Sequence, residues 1–293
     1  MNWFLLTLIA TICLSLFNIL SKYLLNDKKT DPIAFGVFLQ LGVAVLTIPF
    51  VLVYGWKLDL NLKSLSLSLV VSILYAVASI AYYTALAHLE VSRMLIVVSL
   101  DSILSQITGN ILLGEPITLY KSIAGILIFS AVFIVLVTPG HFPSNLTKSS
   151  RVTKYYLLVL LNVVIYSLTI IIDKILVGSY YNPLSYQFVN FLVPALLIIL
   201  LFPKSRRLLP DFLKPGNNRF LTIVAIVVLF LTYFSIFSAY KIGGEVGRVT
   251  PILGSQVVIV VVFGALFLGE RKDFLRKLLA GSMVVLGLYL MGK

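Results

Sequence analysis

The chain has 293 residues, of which 60% are hydrophobic and only 12% are charged. Soluble domains are typically about 45–50% apolar and about 25% charged, so this composition excludes an ordinary water-soluble protein. The net charge of +12 arises from basic residues that lie mostly between apolar runs, where they anchor helix ends at the membrane surface. Composition therefore predicts an integral membrane protein that contacts lipid and has no nucleic-acid partner.

Apolar runs recur along the whole chain. A hydrocarbon core of about 30 Å requires about 20 apolar helical residues, and the runs are continuous, which favours helices over spanning strands. We predict an all-α membrane protein with ten spanning helices, at 3–25, 33–54, 67–88, 91–113, 118–138, 155–177, 184–203, 219–241, 246–268 and 274–291.

The second half of the sequence repeats short motifs of the first half in the same order. The motif EVSR at 90–93 matches EVGR at 245–248, at an offset of 155 residues. The motif LGE at 113–115 matches LGE at 268–270 at the same offset. Because five spans in each half is an odd number, the second half must enter the membrane from the opposite side, which is an inverted repeat. The predicted organisation is a five-helix repeat at 1–138, a linker at 139–154 and a second five-helix repeat at 155–293.

These features resemble the EamA-type members of the drug/metabolite transporter superfamily. The resemblance lies in the five-plus-five layout, in Ser21 and Lys22 at the end of the first helix, and in the Gly-Glu pairs after helices four and nine. It covers nearly the whole chain and implies an exporter or exchanger of small organic solutes. It also implies a central cavity between the halves, with helices five and ten behind that cavity.

The orientation in the membrane stays open at this stage. The resemblance implies that both termini lie in the cytoplasm. Lys and Arg are more frequent in the connections on the side opposite the termini, and by the positive-inside rule this bias would place both termini outside. We expect the protein in the inner, or cell, membrane of a prokaryote.

Polar stripes at helical spacing mark the faces that avoid lipid, because a polar side chain in hydrocarbon costs free energy unless it faces protein or a wet cavity. Such stripes occur on the first, third, fourth and sixth to ninth predicted helices, whereas the fifth and tenth carry few interior polar groups. The predicted substrate-binding residues are Asn18, Tyr75, Ser79, Asp101, Gln106, Tyr166, Gln187, Asn190, Tyr233 and Gln256. The alternative is that these stripes hold helices together through interhelical hydrogen bonds.

Asp101 lies near the middle of the fourth predicted helix, where a carboxylate costs about 2.5–3.5 kcal/mol on insertion scales. Burial favours the protonated form of a carboxyl group, which makes Asp101 a predicted proton-coupling residue. The same carboxylate would attract a substrate ammonium group, or serve as a structural partner for a nearby hydroxyl or lysine. Lys22 and Lys174 lie near helix ends, which favours snorkelling to the interface or pairing with a carboxylate such as Asp173.

Two tight corners carry oppositely charged residues three positions apart. Glu90 and Arg93 follow the third predicted helix, and Glu245 and Arg248 follow the eighth. This spacing predicts a local ion pair at each corner. The glutamates of the two Gly-Glu corners are interpreted as structural or gating elements rather than ligands.

We predict a secondary, gradient-driven transporter of a small organic metabolite, an amino acid or a related amphipathic solute, that works by alternating access. No Walker A motif is visible. One cysteine and two distant histidines give no metal-ligand spacing, so we predict no cofactor, no metal, no catalytic residues and no enzyme activity. The alternatives are a lipid flippase or a channel-like pore on the same fold and, less favoured, an integral-membrane enzyme acting on lipid. Protons are the predicted coupling ion, and the sequence leaves the oligomeric state open.

Overall fold

A computed structural model describes residues 2–27, 30–113, 118–136, 146–213 and 218–291. The described residues form thirteen α-helices: α1 Trp3–Leu25, α2 Pro32–Tyr54, α3 Leu62–His88, α4 Val91–Val98, α5 Leu100–Leu113, α6 Leu119–Leu136, α7 Leu146–Ile175, α8 Pro183–Leu201, α9 Pro203–Leu208, α10 Arg219–Lys241, α11 Val246–Gly254, α12 Gln256–Phe267 and α13 Phe274–Met291. A π-helical turn, Leu176–Tyr180, extends α7, and a 3₁₀ turn, Leu209–Leu213, follows α9. The predicted corner at 114–115 and residues 139–145 of the predicted linker lie outside the described residues.

Eight helical segments are long and apolar enough to cross a membrane. They are Trp3–Leu25, Pro32–Tyr54, Leu62–His88, Val91–Leu112, Val152–Tyr180, Pro183–Leu201, Arg219–Lys241 and Val246–Phe267. The prediction of an integral, all-α membrane protein is thereby confirmed. At the fifth and tenth predicted positions lie α6 and α13, of 18 residues each, but the apolar stretch described for α6 is the shorter Leu119–Val135. The count of ten spans therefore stays a prediction.

The starts of α2 and α8 have a common local cause. Asp31 Oδ1 accepts the N–H groups of Ile33 and Ala34, at 3.0 and 2.9 Å, directly ahead of a proline at the first helical position. Asn182 caps α8 in the same way, with its Oδ1 accepting the Ser185 N–H at 2.7 Å. A capping side chain satisfies N–H groups that have no partner inside the helix, and proline needs no N–H partner there.

Two spans are interrupted near their middle at a serine. Ser99 separates α4 from α5, and Ser255 separates α11 from α12. Each hydroxyl donates to the carbonyl oxygen three residues earlier, Ile96 or Ile252, at 2.6 Å. A serine that bonds back to the preceding turn competes with the helical ladder and bends the helix.

The long helices pack in pairs that join the two halves of the chain. α1 packs on α10, α3 on α7, α2 on α8, and α6 on α13. The two interrupted spans also pack across the halves, with α5 on α7 and α12 on α1. Many apolar side chains on the outside of this bundle are exposed, as expected for helices that face lipid.

Candidate functional site

A cavity lies at the centre of the bundle, with a volume of about 130 Å³ open to the centre of a water molecule. This is room for several water molecules or for a small organic solute. Helices α1 to α5 contribute to its lining from the first half, and α7, α8, α10, α11 and α12 contribute from the second. Among the described residues, none from α6 or α13 lines it.

Eight of the ten predicted binding residues line this cavity. They are Asn18, Tyr75, Ser79, Asp101, Tyr166, Asn190, Tyr233 and Gln256. Residues that helical spacing predicted on seven different spans therefore lie around one cavity. Their role in binding a solute stays a prediction.

Gln106 and Gln187 lie outside the cavity lining and connect helices instead. Gln106 Nε2 donates to the Gly247 carbonyl at 3.2 Å. That carbonyl has no helical partner, because Pro251, four residues later, lacks an N–H group. Gln187 Nε2 donates to the Phe230 carbonyl at 3.0 Å. The geometry of both amides supports a structural role. Their polarity and their spacing in the sequence did not distinguish this role from substrate binding.

An amide pair joins the two halves across the cavity. Asn18 Nδ2 donates to Gln256 Oε1 at 2.8 Å, and Asn18 Oδ1 accepts the hydroxyl of Tyr82. The three side chains come from α1, α12 and α3. Because the carbonyl end of Asn18 faces a hydroxyl donor and its amino end faces a carbonyl oxygen, the amide has one favoured orientation.

Aromatic side chains form much of the cavity wall. They are Phe17, Tyr75, Tyr82, Tyr83, Tyr166, Phe191 and Tyr233. Tyr75 and Tyr166 meet edge to face with ring centroids 6.2 Å apart, and Phe191 and Tyr233 do so at 5.0 Å. Such pairs are the favoured aromatic geometry and hold the wall in a defined shape. The predicted binding set omitted four of these aromatic residues, because apolar or near-terminal aromatic positions resemble ordinary core or interfacial ones.

Asp101 is the only charged side chain among the described residues of the cavity lining. Its Oδ1 accepts the Ser102 hydroxyl at 3.1 Å, and the residue is partly accessible. None of the ion pairs found in the described residues includes it. Asp101 is thus an acidic group of the cavity with no lysine or arginine beside it among the described lining residues.

A second buried carboxylate, Asp173, lies behind the aromatic wall. Its Oδ2 accepts the hydroxyl of Tyr75 at 2.5 Å, and its Oδ1 accepts the hydroxyl of Tyr186. The sequence prediction named Asp173 as a possible partner for a lysine and left it out of the substrate-binding set. Its partners are tyrosines from α3 and α8, which no spacing along the chain could have indicated.

Lys22, for which the sequence predicted snorkelling or a carboxylate partner, binds the carbonyl groups at the end of α3. Its side chain is only 8% exposed, and Nζ donates to the Leu86 carbonyl at 2.9 Å and to the Ala87 carbonyl at 3.4 Å. These are among the last carbonyls of α3, which have no helical partner. A cation at a helix C-terminus is also favoured by the helix dipole.

The corner after α3 is bound to the loop between α12 and α13. The Glu270 carboxylate accepts the N–H groups of Val91 and Ser92, at 2.8 and 3.1 Å, and the Ser92 hydroxyl. A side chain from the second half therefore caps the N-terminus of α4, where a negative charge is favoured by the helix dipole.

Ion pairs extend this contact. The predicted pair of Glu90 and Arg93 is confirmed, with Nε and Oε2 2.7 Å apart. Arg93 also pairs with Asp273 at 2.8 Å, and Lys277 pairs with Glu90 at 3.1 Å. We call the six residues Glu90, Ser92, Arg93, Glu270, Asp273 and Lys277 the corner network.

Comparison with known proteins identifies the family. The model of the EamA-like transporter family matches residues 1–137 and 153–293. This chain belongs to the EamA-like transporter family. The family is part of the drug/metabolite transporter superfamily, and its members are membrane transporters rather than enzymes. The family resemblance expected from the sequence is confirmed.

Solved structures support the same fold. Among 27 matching chains is one described only as a crystal structure of a protein, which superposes with a TM-score of 0.66 over 97% of each chain. At 17% identity this likeness concerns the fold alone. A search of curated proteins found no match. Within the described part of the chain, no three His, Cys, Asp or Glu residues lie together as metal ligands would.

Proposed function

We propose that this EamA-like transporter is a gradient-driven carrier of a small amphipathic solute that bears an amine, such as an amino acid or a related compound. The observation that carries the proposal is the central cavity, which both halves of the chain line with one carboxylate and an aromatic wall. Sites of this kind, between two halves and near the membrane midplane, are typical of secondary transporters.

The helix pairing supports an inverted repeat of ten spans. In such a repeat α7 would correspond to α1 and α10 to α3, so the α1–α10 pair would be equivalent to the α7–α3 pair. The α5–α7 contact would likewise be equivalent to the α12–α1 contact. The family model also matches each half of the chain. Alternating access would then arise from rocking of one half against the other around the cavity.

The chemistry of the lining favours a solute that bears an ammonium group over one that bears only a carboxylate. Asp101 attracts a cation, and aromatic faces such as that of Tyr233 stabilise ammonium groups by cation–π interaction. No lysine or arginine among the described lining residues would neutralise an anionic solute. The carboxylate of an amino acid would instead rely on neutral donors, such as the amide of Asn190.

A carrier also explains the packed layers at the two ends of the cavity better than a pore does. On the side of the chain termini, Tyr186 stacks on Tyr181 and meets Phe237 edge to face. On the other side, the corner network joins the two halves. A carrier requires closure on each side in turn, whereas a channel requires a continuous wet path.

Transport by the purified protein in liposomes tests the proposal. Three compounds with one phenyl ring form a matched set: phenethylamine, phenylalanine and phenylpropionate. We expect saturable, gradient-driven transport of the amine or the amino acid and none of the acid. Ion conductance would favour the channel alternative, and lipid scrambling would favour the flippase.

The variant Asp101→Asn tests the role of the carboxylate. Loss of a charge-assisted contact worth about 1.5–3 kcal/mol should lower the affinity for the amine about tenfold or more. The exposed Asp59→Asn variant is the matched control and should bind as the wild type does. Equal affinities in the wild type and Asp101→Asn would remove Asp101 from the binding site.

A further inference from the structure

The environment of Asp173 differs from that of an ordinary membrane ion pair. The residue is 2% exposed, and both of its carboxylate oxygens accept tyrosine hydroxyls, from Tyr75 on α3 and from Tyr186 on α8. α3 belongs to the first half of the chain, and α7 and α8 belong to the second. The carboxylate therefore lies in the interface that must change during alternating access.

The groups that face Asp173 carry no positive charge among the described residues. Besides Tyr75 and Tyr186, they are Tyr166 of its own helix and Tyr233 and Tyr240 of α10. Lys241 of α10 donates instead to the carbonyls of Val177 and Gly178, at 2.9 and 3.1 Å. On α11, Arg248 is exposed and pairs with Glu245.

A buried carboxylate without a cation is costly as an anion, and hydrogen bonds offset only part of that cost. Binding a proton removes the charge while the carboxyl group keeps its hydrogen-bonding capacity. The same surroundings can therefore accommodate both the ionised and the protonated form of Asp173. The two tyrosine hydroxyls can each donate or accept, so neither form leaves an oxygen of the group without a partner.

Asp173 and Asp101 differ in their access to the cavity. Asp101 lines the cavity, whereas Asp173 does not and reaches the lining through its hydrogen bond with Tyr75. The Tyr240 hydroxyl, on α10, is buried and has no hydrogen-bond partner among the described residues.

We propose that Asp173 is the proton-binding site of the carrier and that Tyr75 transmits its state to the cavity. This inference rests on the proposed function. Ionised Asp173 accepts the Tyr75 O–H, so the tyrosine oxygen faces the cavity as an acceptor that suits an amine. Protonated Asp173 keeps the bound proton on its own oxygen and donates it to the Tyr75 oxygen. Tyr75 then turns its own hydrogen toward the cavity and suits an amine less well.

The sign of the coupling follows from these two forms. The ionised form binds the amine better, so binding of the amine releases a proton and affinity rises with pH until Asp173 is fully ionised. When one proton is fully linked to binding, the affinity changes by up to about tenfold per pH unit. In this arrangement Asp101 recognises the solute, and Asp173 carries the exchanged proton.

Calorimetry of phenethylamine binding to the full-length protein tests the inference, in buffers with different ionisation enthalpies and over a range of pH. The wild type should release a proton on binding. Asp173→Asn should lose both the proton release and the rise of affinity with pH. Asp101→Asn should bind more weakly but keep the proton release, and Asp59→Asn should behave as the wild type does.

Tyr75→Phe provides a second route if Asp173→Asn does not fold. It removes the link to the cavity but keeps Asp173, so the pH dependence of affinity should fall. Tyr186→Phe removes the hydroxyl that donates to the other oxygen of Asp173, away from the cavity lining, and should keep more of that dependence.

Proton release that survives in Asp173→Asn, or that disappears in Asp101→Asn alone, would overturn the inference and leave the carrier proposal intact. A wild type that neither binds nor transports any of the three compounds would overturn the carrier proposal instead.

Discussion

The two charged corners have nearly the same sequence and very different surroundings. At the corner after α3, Arg93 is 4% exposed and pairs with Glu90 of its own half and Asp273 of the other. At the corner after α10, Arg248 and Glu245 pair at 3.1 Å, which confirms the second predicted ion pair, and are 56% and 55% exposed. Among the described residues no ion pair joins this second corner to the first half, although Gln106 of the first half donates to the Gly247 carbonyl.

This difference shows that two segments with nearly the same sequence can have different partners within one conformation of the protein. In an inverted repeat the two corners lie on opposite sides of the membrane. A carrier that rocks between two states would release one corner as it binds the other. In the proposed carrier the corner network would be a contact of one state, and the two corners should contribute unequally to the stability of that state.

The largest effect is expected when the network loses Lys277, the more deeply buried of its two cations. Lys277 is 2% exposed, and its Nζ contacts Glu90, Ser92 and the Glu270 carbonyl. Breaking a buried ion pair by removing one partner typically costs about 3–5 kcal/mol, so Lys277→Met should lower the free energy of unfolding by about that amount. Denaturant unfolding of the purified protein measures it. A change within experimental error would mean that the corner network does not stabilise this state.

A smaller effect is expected when the first corner receives the sequence of the second. Ser92→Gly turns EVSR into EVGR and removes the hydroxyl that donates to Glu270. The lost hydrogen bond to a charged group and the added backbone freedom should together cost about 2–3 kcal/mol. The same unfolding measurement applies, with Ser66→Gly, at an exposed position in the first turns of α3, as the control for backbone freedom alone. Equal losses in the two variants would assign the effect to the backbone rather than to Glu270.

The smallest effect is expected at the second corner itself. Exposed ion pairs contribute about 0–1 kcal/mol, so Arg248→Ala should change stability by less than about 1 kcal/mol. The matched variant Arg93→Ala should cost about 3 kcal/mol or more, because it leaves carboxylates of the corner network without a partner. Similar losses at the two positions would show that the corners are equivalent, contrary to the comparison above.

Local sequence patterns were sufficient to predict eight of the residues that line the cavity, but not the partners of its polar groups. Asn18, Tyr75 and Tyr166 could be predicted because a polar stripe on a spanning helix must avoid lipid. Gln106 has the same polarity and spacing, yet its amide compensates for the missing N–H of a proline on another helix. Asp173 was passed over because its partners, including Tyr186, are set by the packing of α7 on α3 and α8.

The sequence by itself determined that the chain is helical and has eight segments long and apolar enough to cross a membrane. Backbone groups in hydrocarbon must be satisfied within each segment, and long apolar runs in the sequence identify such segments. The sequence also determined which helix faces avoid lipid, since that choice depends only on polarity and a period of 3.6 residues. Only the tertiary structure decided which groups meet across helices, such as Lys22 with the end of α3 and Glu270 with the start of α4. Those contacts depend on distances between helices far apart in the chain, and sequence spacing does not record such distances.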